Sequence, residues 1–171
     1  LGRDFDAQVA VLHVRPDPRT AAMAYLGEPV SASMIDQVME AMEKRKWELM
    51  SHGIYNTRYH WNFTPEEERA AMEESREIHR RLTGREQRGW FSPAITNTLE
   101  TFELAAATGY DYVADLYHDD QPFPIRTRAG DLISVPYSVD HNDVIAWRKG
   151  DEIDAFCRQI KDAFDVLYEE G

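Results

Sequence analysis

The stretch TPEEERAAMEESREIHRRLTGREQRGWFSP, residues 64–93, decides the fold class because it joins a helix to a strand through a short loop. Thr64 precedes Pro65, and Glu67 follows at the spacing of a capping box, with proline in the first helical turn. Gly84 is expected to end the helix, because glycine readily adopts the left-handed conformation found at helix termini. The run RGWFSP then predicts a strand.

The same alternation of strands and helices continues along the chain. Short apolar runs predict strands within residues 7–14, 47–53, 88–93, 110–117 and 131–139. Helical spacing of apolar residues predicts helices within residues 31–46, 64–82, 98–109 and 151–169. This order predicts an α/β fold with a mostly parallel sheet, and the length of 171 residues fits one domain over residues 1–171.

Composition excludes several classes of function. With 31 acidic and 19 basic residues, the chain has a net charge of −12. Its sequence contains a single basic triplet, KRK at 44–46. We therefore expect no nucleic-acid partner, because the chain would repel a phosphate backbone. The single cysteine, Cys157, excludes an internal disulfide and is expected to be a packed thiol in an amphipathic helix. Without a long apolar run or a visible export signal, we expect a cytoplasmic protein with no membrane partner.

Common catalytic motifs are absent from the sequence. It has no G-x-G-x-x-G, no G-x-x-x-x-G-K-[ST], no H-E-x-x-H and no G-x-S-x-G. Dinucleotide, nucleoside-triphosphate, zincin and serine-hydrolase functions therefore lack support.

Polar side chains follow four successive predicted strands, and parallel α/β folds bind ligands at the carboxyl ends of their strands. We therefore predict one site for a metal, a proton transfer or a polar substrate, formed by these groups: His52, Gly53, Tyr55 and Asn56; Ser92 and Pro93; His118, Asp119 and Asp120; Asp140, His141, Asn142 and Asp143. The alternative for the loop YHDDQPFP (117–124) is an ordinary surface turn. The alternative for His52 is a residue that merely caps a strand end.

Adjacent side chains in an extended chain point in opposite directions, so Asp119 and Asp120 cannot easily face one ligand together. One of them is expected to serve the site and the other to hold the loop. The remaining histidines favour structural roles: His60 packed among aromatic residues, His79 solvated on a helix, and His13 in a strand of the core.

Residues 47–171 resemble the polysaccharide deacetylase family, the chitooligosaccharide deacetylase homology group, in its intracellular branch with allantoinase-like members. The resemblance is carried by WELMSHGIYNTRYHWNFTPEEERAAMEESREIHRRLTGREQRGWFSPAITNT, then DYVADLYHDDQPFPIRTRAGDLISVPYSVDHND and FDVLYEEG. It implies a partial or distorted (β/α) barrel. The implied function is hydrolysis of carbon–nitrogen amide bonds other than peptide bonds, in N-acetyl sugars or in cyclic or linear amides.

The resemblance also implies roles for individual residues. His52 matches the family's first metal-binding histidine, but Asn56 stands where metal-dependent members have the second, which favours no cofactor or a weak divalent metal such as zinc. Pro93 and Ala94 replace a glycine and an arginine of the allantoinase-like members, which argues against allantoin itself. The implied catalytic residues are His52, Asp119 and Asp120, and the implied substrate-binding residues are Asn56, Trp90, Ser92, His118, Gln121, Asn142 and Asp143.

No acidic motif that could supply the family's catalytic base precedes His52. Instead, residues 3–43 resemble part of a universal stress protein, which predicts a chimera of a 1–46 segment and a 47–171 segment with a junction near 43–47. A complete (β/α)₈ barrel takes about 250 residues. The alternative function is therefore a non-catalytic, chimeric or fragmentary α/β protein whose open edges are covered by homo-oligomerisation.

Overall fold

The computed structural model describes residues 9–11, 37 and 40–170. The strands are β1 Val9–Val11, β2 Glu48–Met50, β3 Gly89–Trp90, β4 Tyr112–Val113, β5 Phe123–Arg126 and β6 Asp131–Ser134. The helices are α1 Pro65–Thr83, α2 Thr101–Ala107, α3 Asp143–Lys149 and α4 Ile153–Glu170. Residues 40–44 are also helical, and short 3₁₀ turns occur at His60–Asn62, Pro93–Ile95 and Val139–His141.

The sheet is mostly parallel, as predicted. β1 and β2 pair in parallel, and the second sheet has the order β3-β4-β6-β5, with parallel pairs except for the antiparallel β5–β6 hairpin. A parallel bridge between Ser51 and Trp90 joins the two sheets. The described strands thus follow one another as a section of a β/α barrel wall, with α1 and α2 as crossover helices.

Helix α1 begins and ends where the sequence predicts. The Thr64 hydroxyl accepts a hydrogen bond from the Glu67 amide at 3.2 Å, and the Thr64 amide donates to the Glu67 carboxylate at 2.8 Å. Gly84 ends the helix with φ at 68°, and its amide donates to the Arg80 carbonyl. The predicted capping box is confirmed.

Neighbouring strand residues divide between two apolar clusters, one on each face of the sheet. The first lies between the sheet and the helices α1 and α2 and contains Met72, Trp90, Leu104, Ala105, Tyr110, Val113 and Leu132. The second lies on the opposite face and contains Met50, Phe91 and Ala114, with Ile95, Tyr112 and Tyr137 packed against it.

Two elements were not predicted. The loop YHDDQPFP is irregular only as far as Pro122, because Phe123 begins β5. Its proline, Pro124, is tolerated because β5 is the edge strand of the sheet. Helix α3 was missed because it has only seven residues.

Two structural predictions were wrong. His79 is buried, with 5% of its surface exposed, since it lies two turns after Met72 on the face of α1 that packs on the sheet. Cys157 is exposed, because no residue of α4 is buried. The prediction that His60 packs among aromatic rings is confirmed by its stacking on Phe63, while His13 lies outside the described residues.

In the part of the chain that the structure describes, no helix has the length and apolar character needed to cross a membrane.

Candidate active site at the carboxyl ends of the strands

His52 lies directly beyond β2 and is half-buried against Phe91. The two rings stack with centroids 4.6 Å apart, and His52 Nδ1 lies 3.3 Å from the Phe91 carbonyl oxygen. A carbonyl oxygen can only accept a hydrogen bond, so Nδ1 carries a proton, and in the neutral form of the ring the lone pair is on Nε2. The fold therefore fixes both the orientation and the tautomer of His52.

An aromatic path leads from His52 toward the loop after β6. The Phe91 ring lies 4.8 Å from the Tyr137 ring, and Asn142 Nδ2 donates a hydrogen bond to the Tyr137 hydroxyl at 2.5 Å. The Asn142 oxygen meanwhile accepts from the Val144 amide at 2.9 Å and caps α3. Asn142 thus positions Tyr137 and begins the helix.

Tyr137 forms one wall of an open groove of about 1070 Å³. The loop after β4, the loop after β6 and one side of α4 enclose it, and it contains His118, Asp119, Asp120 and His141. Asp140 and Asp162 add two further carboxylates, and none of the described residues that line the groove is a lysine or an arginine. This charge favours a neutral or cationic ligand over an anionic one.

The two adjacent aspartates of the groove differ in their contacts. Asp119 Oδ1 accepts hydrogen bonds from the Asp120 amide at 2.8 Å and the Gln121 amide at 3.3 Å. Hydrogen bonds from Gln121 and Asp120 hold the pKa of Asp119 below its usual value. The geometry therefore assigns the loop-holding role to Asp119, which leaves Asp120 as the candidate for chemistry.

The structure does not bring all the predicted site residues to this groove. Trp90 has no exposed surface and lies in the cluster between the sheet and the helices. Its indole N–H donates to the Ser92 hydroxyl at 3.1 Å, and Ser92 is also fully buried. Asn56 is half-buried in the loop after β2, outside the set of residues that line the groove.

The other predicted residues lie in loops or at a helix end. His118 is exposed, and its ring contacts Phe123 edge-on at 4.4 Å. Gln121 is exposed beside Asp119. Asp143 is the first residue of α3, and its carboxylate accepts from the Val144 amide at 2.8 Å.

No three His, Cys, Asp or Glu side chains within residues 9–11, 37 and 40–170 come together in a way that could hold a metal ion. His52 and Asn56 would supply one imidazole and one neutral amide, which is a poor donor set for zinc. The described residues therefore do not form a metal centre by themselves.

The loops after β2 and β3 are in direct contact. Gly53 has φ at 68°, and a Cβ placed there would lie 2.5 Å from Pro93 Cγ, so this position needs glycine. The turn Pro93–Ile95, in the loop after β3, contains Ala94 and Ile95 at φ of 54° and 56°. This conformation is strained for the β-branched side chain of Ile95. The His60 amide donates to the Thr96 hydroxyl at 2.9 Å and ties the two loops together.

A buried carboxylate, Glu68 of α1, supports these loops from beneath. Its oxygens accept hydrogen bonds from Thr101 at 2.5 Å and Thr98 at 2.8 Å, and His60 Nδ1 lies 3.4 Å away. Burial by itself would raise the pKa of Glu68, but the hydrogen bonds outweigh it and lower the pKa. This network joins the start of α2 to the segment that precedes α1.

Sequence reasoning missed Asp115, which has 1% of its surface exposed and whose Oδ1 accepts from the Ser92 amide at 2.9 Å. Burial raises the pKa of Asp115 to about 7. The signal lay in YVADLY, part of the predicted strand 110–117, where Asp115 stands two residues after Val113 and is therefore expected on the same side of the sheet.

Comparison with known proteins identifies the family. The polysaccharide deacetylase family model matches residues 19–113, which include His52 and Ser92 and end before Asp119. Among solved structures, the allantoinase Puue is 30% identical over 81% of this chain and 47% of its own, with a TM-score of 0.66. A "probable polysaccharide deacetylase" from Pseudomonas aeruginosa PAO1 is 30% identical over the same two shares, with a TM-score of 0.62.

The chain thus spans less than half the length of these two structures, 47% of each. No curated protein matches it. The family match covers more than half of the chain and overlaps much of the segment 3–43, for which a universal stress protein resemblance is expected. The chain belongs to the polysaccharide deacetylase family.

Proposed function

We propose that this chain forms the substrate side of a site that hydrolyses carbon–nitrogen amide bonds other than peptide bonds, in an N-acetyl sugar or in a cyclic or linear amide. The observation that carries the proposal is the aromatic path from His52 through Phe91 to Tyr137. It connects the fixed imidazole to the groove in which both predicted aspartates lie. The two solved relatives, named as an allantoinase and a deacetylase, support amide hydrolysis.

The proposed chemistry assigns one step to each group. The oxygen of a water molecule bonds to the amide carbon while Asp120 takes the water proton. His52, in its protonated form, gives a proton to the leaving nitrogen as the carbon–nitrogen bond breaks, so that an acid and an amine are the products. Asp119 keeps the loop in shape, since its carboxylate accepts the Asp120 and Gln121 amides.

Asp120→Asn tests the assignment of the base. Turnover of N-acetylated sugars and of cyclic amides should fall by about 10²–10⁴-fold in this variant. Asp151→Asn is the matched control, because Asp151 is also exposed but lies between α3 and α4, outside the groove lining. Equal activity in both variants would remove Asp120 from the mechanism.

A second candidate function, assembly without catalysis, is favoured by the surface of α4. Its side chains Phe164, Leu167 and Tyr168 are 63%, 43% and 75% exposed. Apolar surface of this kind is common at subunit interfaces. We therefore propose a homo-oligomer that covers this face of α4. Light scattering after size-exclusion chromatography would measure its molar mass.

Phe164→Asp is expected to shift an oligomer toward monomer. Leu99→Asp serves as the control, since Leu99 is 94% exposed but lies before α2. A wild-type chain that is monomeric at all concentrations would contradict this second candidate.

The origin of the amino-terminal segment stays a prediction. The family match from residue 19 supports one continuous deacetylase-like chain over a fusion near 43–47. The single domain, the cytoplasmic location and the absence of a nucleic-acid partner likewise stay predictions.

A further inference from the structure

Asp115 combines three properties that core residues rarely share. It is an ionisable group with 1% exposure, its Oδ1 is bonded to a loop amide, and its Oδ2 has no hydrogen-bond partner among the described residues. A buried polar atom without a partner costs stability, so a group of this kind calls for a specific explanation.

The loop amide bonded to Asp115 is that of Ser92, at the entrance to the strained turn Pro93–Ile95. The far end of the turn is held by Thr96, whose hydroxyl donates to the Pro93 carbonyl at 2.6 Å. The turn is therefore anchored at both ends while Ala94 and Ile95 keep positive φ angles.

The turn is coupled to the candidate site through packing. Ile95 packs against the cluster of Met50, Phe91 and Ala114, on the face of the sheet opposite Trp90. Phe91 is the ring on which His52 stacks. A displacement of the turn would therefore shift the Phe91 ring and, with it, the His52 imidazole.

We propose that Asp115 is a positioning residue that holds residues 92–96 in the strained conformation against which Phe91 and His52 are packed. The inference rests on the proposed function for its catalytic meaning, but hydrogen exchange can test it without any turnover. Burial raises the pKa of Asp115, hydrogen bonds from Ser92 partly offset this effect, and the charge of Glu68 in α1 raises the pKa slightly further. A protonated carboxyl group still offers its carbonyl oxygen to the Ser92 amide.

The test is residue-resolved amide exchange of the full chain. Asp115→Leu removes the acceptor, and the Ile95 and Thr96 amides, which donate to Ser92 and Pro93 carbonyls, should exchange about tenfold faster or more. Asp115→Asn keeps an oxygen acceptor and should retain protection. Ser134→Ala is the matched control, because Ser134 is 1% exposed on the neighbouring strand β6 and its hydroxyl also lacks a partner among the described residues.

Unchanged exchange at Ile95 and Thr96 in a folded Asp115→Leu chain would overturn the proposal, as would equal loss in Ser134→Ala. If Asp115→Leu does not fold, the smaller change Asp115→Ala takes its place, because it also removes the acceptor of the Ser92 amide. The Ile95 and Thr96 amides should again exchange about tenfold faster or more than in Asp115→Asn. Equal protection in Asp115→Ala and Asp115→Asn would overturn the proposal.

In a catalytically active sample, Asp115→Leu should also lower kcat by about tenfold or more, and Asp115→Asn should restore it. A turn that loosens without any effect on kcat would contradict the positioning role. An inactive wild type with an Asp115-dependent turn would instead contradict the proposed function alone.

Discussion

Helices α1 and α4 have similar lengths, 19 and 18 residues, yet they relate to the fold in opposite ways. α1 buries Met72, Glu68 and His79 in the fold, although its sequence is highly charged. α4 has the more apolar sequence but no buried residue within the described structure. Amphipathic spacing thus predicts that a helix forms, but the presence of a sheet surface opposite it decides whether the helix is packed.

The largest effect is expected in the cluster beneath α1. Trp90→Ala should lower the free energy of unfolding by about 3–5 kcal/mol, because Trp90 is fully buried and a cavity would remain. Urea unfolding followed by circular dichroism measures this change. A decrease in the free energy of unfolding of less than 1 kcal/mol would mean that the cluster around Trp90 contributes little to stability.

A change nearly as large is expected in the pH dependence of stability. The folded chain keeps a proton on Asp115 up to about pH 7, whereas the unfolded chain releases it near its usual pKa of 3.8. Stability should therefore fall as pH rises from 4 to 7, by at most about 4 kcal/mol from this group, and stay level above that. In Asp115→Asn this component should vanish from unfolding curves measured at pH 4 to 8. A wild type and variant with parallel pH profiles would contradict the assignment.

A smaller effect should distinguish two glycines. Gly53 and Gly84 share φ of 68°, but a Cβ would contact Pro93 only at Gly53 and would meet nothing within 4 Å at Gly84. Gly84→Ala should cost about 1 kcal/mol for the left-handed backbone, and Gly53→Ala roughly 2 kcal/mol more because of the clash. Thermal unfolding compares them. Equal costs would show that the loops after β2 and β3 are not in contact.

The smallest effect is expected on α4. Phe164→Ala should change the free energy of unfolding of a monomeric chain by less than about 0.5 kcal/mol, because 63% of Phe164 is exposed. Urea unfolding at low protein concentration would measure it. A decrease in the free energy of unfolding comparable to that of Trp90→Ala would contradict the conclusion that α1 is packed on the fold and α4 is not.

Sequence patterns predicted the parallel sheet and α1 because capping and periodicity are local properties. They missed β5, since Pro124 is excluded only from central strands and edge position is a tertiary property. They also missed Asp115, because the spacing from Val113 indicates on which side of the sheet it lies but not its hydrogen bond to Ser92, which is distant in sequence. Of the predicted site residues, Asp119 and Asp120 lie in the groove and Trp90 lies in the core, and their functional roles stay predictions.

The most direct test of the site is turnover of cyclic amides and N-acetylated sugars by the wild-type chain and by His52→Ala, each without added metal and with zinc. We expect turnover that does not require zinc and that falls by about 100-fold or more in His52→Ala, with thermal unfolding confirming that the variant is folded. Equal turnover in a folded His52→Ala chain, or none at all in the wild type, would contradict the assignment of a catalytic site to the carboxyl ends of these strands.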